Sequence, residues 1–147
     1  MQFKNVTLDR LPEIVEVNYK IFEGMYESAP YDLAMYQERL KDVAPVIFVA
    51  EENEKIFGDC ISFERDSKWY VWILGVNKEY RGQGIATQLL DLNEKHAKEH
   101  GYKNITVKVY NVSKEMLRLM IGRGYEIVDI HKHEKTKYNE IFLELCL

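Results

Sequence analysis

Residues 77–86, Asn77-Lys78-Glu79-Tyr80-Arg81-Gly82-Gln83-Gly84-Ile85-Ala86, decide the fold, because they carry the chain straight from a strand into a helix. Residues 69–76 before them are rich in β-branched and aromatic side chains, the composition of a strand. After them Ile85, Leu89 and Leu92, with Ala86, Leu90 and Ala97 on the adjoining line, repeat at helical spacing over 84–100. Gly101 stops that helix as a C-terminal glycine does. Residues 104–110 then alternate Ile105, Val107 and Val109 as a strand. Ser113 is expected to cap a further helix holding Met116, Leu117, Leu119, Met120 and Ile121, ended by residues 122–124. Strand, helix and strand in this order imply a crossover and at least one parallel pairing.

Working outward, residues 3–6 alternate as a first strand, and Asp9 is placed to cap a helix reaching about Phe22, with Pro12 near its first turn. Residues 24–30 read as a loop, and Tyr31-Asp32 opens a second helix to about Val43. The runs 46–52, 55–65 and 69–76, separated by Asn53-Glu54 and by Asp66-Ser67-Lys68, form an antiparallel meander. Residues 125–133 and 141–147 are the last strands, joined by a polar turn near 135–139. The expected architecture is α+β: a mixed, mostly antiparallel central sheet of about seven strands, flanked by about four helices. One domain over residues 1–147 accounts for it.

Composition excludes more than it selects. With 46% apolar and 30% charged residues, the chain resembles neither a disordered nor a fibrous protein. A net charge of −4 argues against nucleic acid, which needs clustered Lys and Arg, and tilts toward an amine-bearing partner. Apolar runs such as 46–50 and 71–74 are too short to cross a bilayer, so no membrane partner is expected. The start Met1-Gln2-Phe3-Lys4-Asn5 shows no signal-peptide pattern. The two cysteines, Cys60 and Cys146, make no disulfide framework. A cytoplasmic protein is the expectation.

The turn at 81–86 carries the chemistry. The first N–H groups of a helix have no partner within it, and the helix dipole adds positive character there. Gly82 and Gly84 remove the side chains that would hold a large anion away, Ala86 keeps the first turn slim, and Arg81 adds a cation. Together they make a phosphate seat. The plainer reading, a glycine-rich connector, stays open on these residues alone. A Rossmann fingerprint is not matched, since Thr87 stands in place of its third glycine and no acidic residue stands at 103–105. A P-loop fails as well, because no Lys-Ser or Lys-Thr follows Gly84.

Strand-ending Ile73-Leu74-Gly75-Val76, a short polar gap and then Arg81-Gly82-Gln83-Gly84-Ile85-Ala86 resemble the acetyl-coenzyme A motif of the GNAT superfamily of N-acetyltransferases. Arg81, Gly84 and Ala86 match that pattern in register, and the order of elements around them extends the resemblance over essentially the whole chain. Gly124-Tyr125 resembles the usual glycine-aromatic pair after the last helix. The resemblance implies an enzyme that takes acetyl-CoA as donor and passes the acetyl group to an amine acceptor, with no metal. It implies that Leu74, Gly75 and Val76 offer backbone groups to the pantetheine arm. The N–H groups of Arg81, Gly82, Gln83, Gly84, Ile85 and Ala86, with the Thr87 hydroxyl, would hold the pyrophosphate. Asn111 and Ser113 sit where relatives place a polar cofactor contact. The strands ending at Val76 and Tyr110 would splay to admit the thioester.

The sequence departs from the pattern in its proton-transfer groups. The tyrosine many members use to protonate the leaving thiolate falls at Met120, which has no proton to donate. The asparagine near the start of that helix falls at Ser113, and the carboxylate some members use as base falls at Tyr70. Aligning an amine on an already activated thioester can still supply much of the rate. Tyr70, Glu64 and Tyr110 are candidate ends of a water chain accepting the amine proton, although tyrosine at its ordinary pKa of about 10 is a poor base. The alternative is a noncatalytic acyl-CoA-binding sensor or regulatory module.

His96-Ala97-Lys98-Glu99-His100 fits an inverted zinc-peptidase pattern, but a polar last helical turn explains it as well. His131 and His133 share a strand face, at the cleft or at a solvated edge. Glu23, Tyr26, Glu27 and Tyr31 surround the loop that closes over the acceptor in the resembled family, where they would suit a cationic amine, and Trp72 alternates with Tyr70 toward the cleft. The strand Ile141-Phe142-Leu143-Glu144-Leu145 could pair across a homodimer.

Overall fold

The computed structural model describes residues 1–134 and 137–147, so part of the turn expected near 135–139 lies outside the described residues. Seven strands, β1 (Gln2–Val6), β2 (Val46–Glu52), β3 (Lys55–Arg65), β4 (Lys68–Val76), β5 (Asn104–Tyr110), β6 (Glu126–His131) and β7 (Glu140–Cys146), form one sheet. Their spatial order is β1-β2-β3-β4-β5-β7-β6. Every neighbouring pair is antiparallel except β4 and β5. Helices α1 (Leu11–Phe22), α2 (Leu33–Leu40), α3 (Ile85–Glu99) and α4 (Lys114–Gly122) flank it. The mixed, mostly antiparallel α+β sheet is therefore as the sequence led us to expect.

Both sheet faces are covered, which is why β2 reads as an unbroken apolar run. Ile47 and Val49 pack with Leu11, Ile14 and Leu40 of α1 and α2, while Phe48 and Ala50 pack with Leu89, Leu90 and Ala97 of α3. The helix spacing seen at 85–97 is thus the buried stripe of α3. That face holds a polar residue, Asn93, whose Oδ1 accepts the Trp69 indole N–H at 2.9 Å. Two-residue hairpins at Asn53-Glu54 and Asp66-Ser67, all at positive φ, fix the register of β2, β3 and β4.

A β-bulge shapes the functional end. Ile61 pairs with Ile73 and Ser62 with Val71, so Trp72 is the extra residue on β4. Trp72 and Ile73 consequently both face α1 and α2, whereas Val71, Leu74 and Val76 face α3. The parallel ladder of β4 and β5 runs from Trp69↔Ile105 to Val71↔Val107. Past it the bulged strand turns away, and the two strands diverge as expected.

Three local expectations need correction. Asp9 does not cap α1: it lies in a 3-10 turn, Leu8–Arg10, and accepts the Thr7 hydroxyl, so the helix begins at Leu11. Ser113 stands at the start of α4 but makes no side-chain cap, its hydroxyl being engaged by Tyr26. β7 offers no edge to a second copy, because β5 and β6 occupy both of its sides. The outer strand there is β6, and it exposes Ile127, Val128 and Ile130.

Candidate functional site

The diverging ends of β4 and β5 open a cleft of about 1460 Å³. It extends from the loop between α1 and α2, past β4, to the start of α3 and the inner side of α4. At the α3 end, Gly82 and Gly84 both hold φ of 77°, a left-handed backbone that favours glycine. A Cβ built on either would meet no protein atom within 4 Å, and both glycines line the cleft. The first bond of α3 runs from Gln88 N–H to the Gly84 carbonyl at 3.1 Å, and the N–H groups ahead of it lack intrahelical acceptors. The first turn of α3 carries no acidic residue. The Arg81 Nε donates to the Val76 carbonyl at 3.1 Å, which anchors the guanidinium beside this turn.

Of the residues considered for the cofactor, Leu74, Gly75, Val76, Arg81, Gly82, Gly84, Ile85, Ala86, Thr87 and Ser113 line the cleft; Gln83 and Asn111 do not. Asn111 instead brackets Asn139, accepting from its N–H and donating to its carbonyl, both at 2.9 Å, which ties the end of β5 to the start of β7. Gly75 has a packing reason as well, since an added Cβ would lie 3.2 Å from the Phe22 ring and 3.3 Å from Ile21.

Tyr26, Glu27, Tyr31 and Trp72 line the other end, and Glu23 falls outside it as the C-cap of α1. The Tyr26 hydroxyl lies 2.9 Å from Ser113 Oγ, strapping the α1–α2 loop to the start of α4. Its ring meets Tyr110 at 5.2 Å and Tyr138 at 5.8 Å. Tyr70 and Tyr110 face the cleft; Glu64 does not. Glu64 pairs with Trp69 on the opposite sheet face and accepts the Tyr102 hydroxyl at 3.0 Å.

Several cleft residues were not singled out from the sequence. Lys108 shares a face with Tyr110, a signal the alternation of β5 contained, and its ammonium lies 5.2 Å from that ring. Glu140 pairs with Lys108 at 3.5 Å and with His133 Nε2 at 3.0 Å, and His133 lines the cleft. Burial works against the Lys108 charge, but Tyr110, Tyr70 and Glu140 together raise its pKa above the usual lysine value. Arg39 and Arg65 lie at the rim, stacked over Trp72 and Tyr70. Beneath Trp72, Asn18 Nδ2 donates to the Tyr36 hydroxyl at 3.2 Å and to Asp59 Oδ2 at 3.0 Å. Complete burial pushes the Asp59 carboxyl up to about 7, and burial likewise raises the Tyr36 pKa.

The zinc pattern at 96–100 loses support. His96 and His100 stack 3.9 Å apart, and among the described residues no group of three or more His, Cys, Asp and Glu is arranged for a metal ion. Cys60 is buried and its thiol pushed up to about 12, the opposite of an activated nucleophile. No helix among the described residues is long and apolar enough to cross a membrane.

Comparison with known proteins agrees with this geometry. Residues 11–125 match the sequence model of the acetyltransferase (GNAT) family. A curated relative, L-2,4-diaminobutyric acid acetyltransferase of Halalkalibacterium halodurans, is 29% identical over 103 residues, 67% of this chain. The chain spans about half (53%) of that relative's length. Among solved structures, ribosomal-protein-S18-alanine N-acetyltransferase from Escherichia coli is similar in fold, with a TM-score of 0.82 at 13% identity, covering 99% of this chain and 92% of that one. A GNAT family acetyltransferase from Elizabethkingia anophelis with acetyl-CoA bound aligns at a TM-score of 0.76 and 19% identity, covering 99% and 97%.

Proposed function

The chain belongs to the acetyltransferase (GNAT) family, and on that premise we propose that it moves the acetyl group of acetyl-CoA to a primary amine of a small molecule or peptide, by direct transfer in a ternary complex. The observation that carries this is the open turn at 82–87, where two left-handed glycines and unbonded helix-start N–H groups face a long cleft. A pyrophosphate seated there has the helix dipole and Arg81 as its counter-charge. The diverged edge of β4 near Leu74 and Val76 supplies backbone groups for the pantetheine arm, which directs the thioester to the gap between β4 and β5.

In the transfer the amine nitrogen bonds to the thioester carbonyl carbon, the carbon–sulfur bond breaks, and the thiolate leaves. The amine loses one proton and the thiolate gains one. Backbone donors on β4 suit the oxyanion that forms between these events. Tyr70 and Tyr110 remain the candidate contacts for the proton chain, whereas Met120, buried and without a donor, takes no part.

That buried methionine also favours a second reading, a noncatalytic acyl-CoA-binding module. Amine-dependent release of the CoA thiol, followed colorimetrically over polyamines, amino acids and short peptides, decides between them. Release with at least one amine is the result expected. Acetyl-CoA binding with no release over the whole panel selects the sensor.

A further inference from the structure

The acceptor end of the cleft is cationic. Arg39, on α2, holds its guanidinium carbon 5.4 Å from the Trp72 ring centroid, and Arg65, at the end of β3, holds its own 4.9 Å from that of Tyr70. Both rings pack against Phe63, at 6.1 and 5.5 Å, so the two arginines crown adjoining rings on one sheet face. Both line the cleft, and among the described residues neither makes a salt bridge or side-chain hydrogen bond. Lys108, by contrast, pairs with Glu140 at 3.5 Å, while Lys114 and Arg118 of α4 add further positive charge to the cleft lining. Glu27 and Glu115 are the carboxylates among the described lining residues, fewer than the cations.

A guanidinium stacked on an aromatic face keeps its edge N–H groups for a planar anion, and stacking restricts the long side chain before a ligand arrives. An amine acceptor without an anionic group would gain nothing from two such charges and would be repelled by them. We infer that the acceptor is an amine that also carries a carboxylate, with Arg39 and Arg65 as the carboxylate seat. This rests on the acyl-transfer reading and narrows it: the cationic amine that Glu23, Tyr26, Glu27 and Tyr31 were expected to suit also carries a carboxylate.

The test uses matched amines: 2,3-diaminopropionate, ornithine and lysine, each beside its carboxamide and the diamine lacking the carboxylate. Binding to the CoA-loaded protein is measured calorimetrically, and thiol release is measured with acetyl-CoA. At least one diamino acid is expected to bind about tenfold tighter than its amide and diamine, the scale of a charge-assisted Arg–carboxylate contact at a partly exposed site. Arg39→Gln and Arg65→Gln should each remove most of that preference, raising KM while kcat and CoA affinity stay within about twofold. Equal or better binding of the amides and diamines overturns the inference, as does a preference that survives both substitutions or no binding by any of the nine. Selective carboxylate binding without thiol release with any of them upholds the seat and counts against the transfer reading. Release that favours the diamines does the reverse.

Discussion

At Gly84 the backbone stands at φ 77°, and the space where a side chain would begin contains no protein atom. Two effects of substitution therefore separate. Alanine in this left-handed conformation costs about 1–2 kcal/mol of stability, whereas the new methyl projects toward the cleft without touching the fold. Gly84→Ala is expected to lower acetyl-CoA affinity by about tenfold or more, beyond anything that mild destabilisation accounts for, when thermal melts and calorimetry are run on the same sample. Asp59 poses a different problem at the same scale. Asp59 Oδ1 and Asn18 Oδ1 are buried acceptors with no hydrogen-bond partner among the described residues. A proton on Asp59 supplies the donor that this pair lacks. Its folded pKa of about 7 lies above the ordinary 3.8, so the folded protein holds a proton that the unfolded chain releases. The resulting stabilisation is complete below about pH 4 and lost as pH rises through 7, an effect of about 4 kcal/mol. Asp59→Asn should match the wild type near pH 4 and exceed it in stability at pH 8, in denaturant titrations at both values. A wild type that gains stability relative to the variant as pH rises would show that Asp59 is ionised in the fold.

At the scale of elements, the site depends on two strands that part company and on a strap that crosses their gap. The bulge at Trp72 turns β4 away from β5, and Tyr26 joins the α1–α2 loop to Ser113 at the head of α4. Removing that bond with Ser113→Ala should cost about 1 kcal/mol and speed amide exchange in residues 24–31, with the amides of β2 and β3 unchanged. Exchange rates identical to wild type in that loop would deny the strap any role in ordering it. The same scale shows what could be read in advance. The bounds of β5 followed from alternation, and those of β2 and β3 from apolar and β-branched runs set off by short polar turns at 53–54 and 66–68, because these signals are local. Asp9 and Ser113 misled because capping depends on where a hydroxyl or carboxylate finds its best partner. Thr7 and Tyr26 provided those partners, Tyr26 from far along the chain.

Over the whole molecule, the turn proposed to seat the pyrophosphate was legible and the proposed acceptor end was not, for a physical reason. That turn is built from consecutive residues, so its glycines and Arg81 stand together in the sequence. The acceptor end draws Arg39 from α2, Arg65 and Tyr70 from the β3–β4 hairpin, and Lys108 from β5. These residues become neighbours only when the sheet forms. Glu64 lies off the cleft for a related reason, since one step along a strand moves a side chain to the other face. Any pairing of two copies through the sheet near β7 would have to use β6, whose exposed Val128 and Ile130 stand at that edge. The measurement that bears most directly on the central claim is a calorimetric titration of acetyl-CoA into the wild type and into Gly84→Glu and Arg81→Ala. Micromolar binding by the wild type is expected, with a loss of about 100-fold for the introduced carboxylate and about tenfold for the removed cation. No binding at millimolar acetyl-CoA, or equal affinity in all three proteins, would make the turn at 81–86 a simple connector and contradict the account.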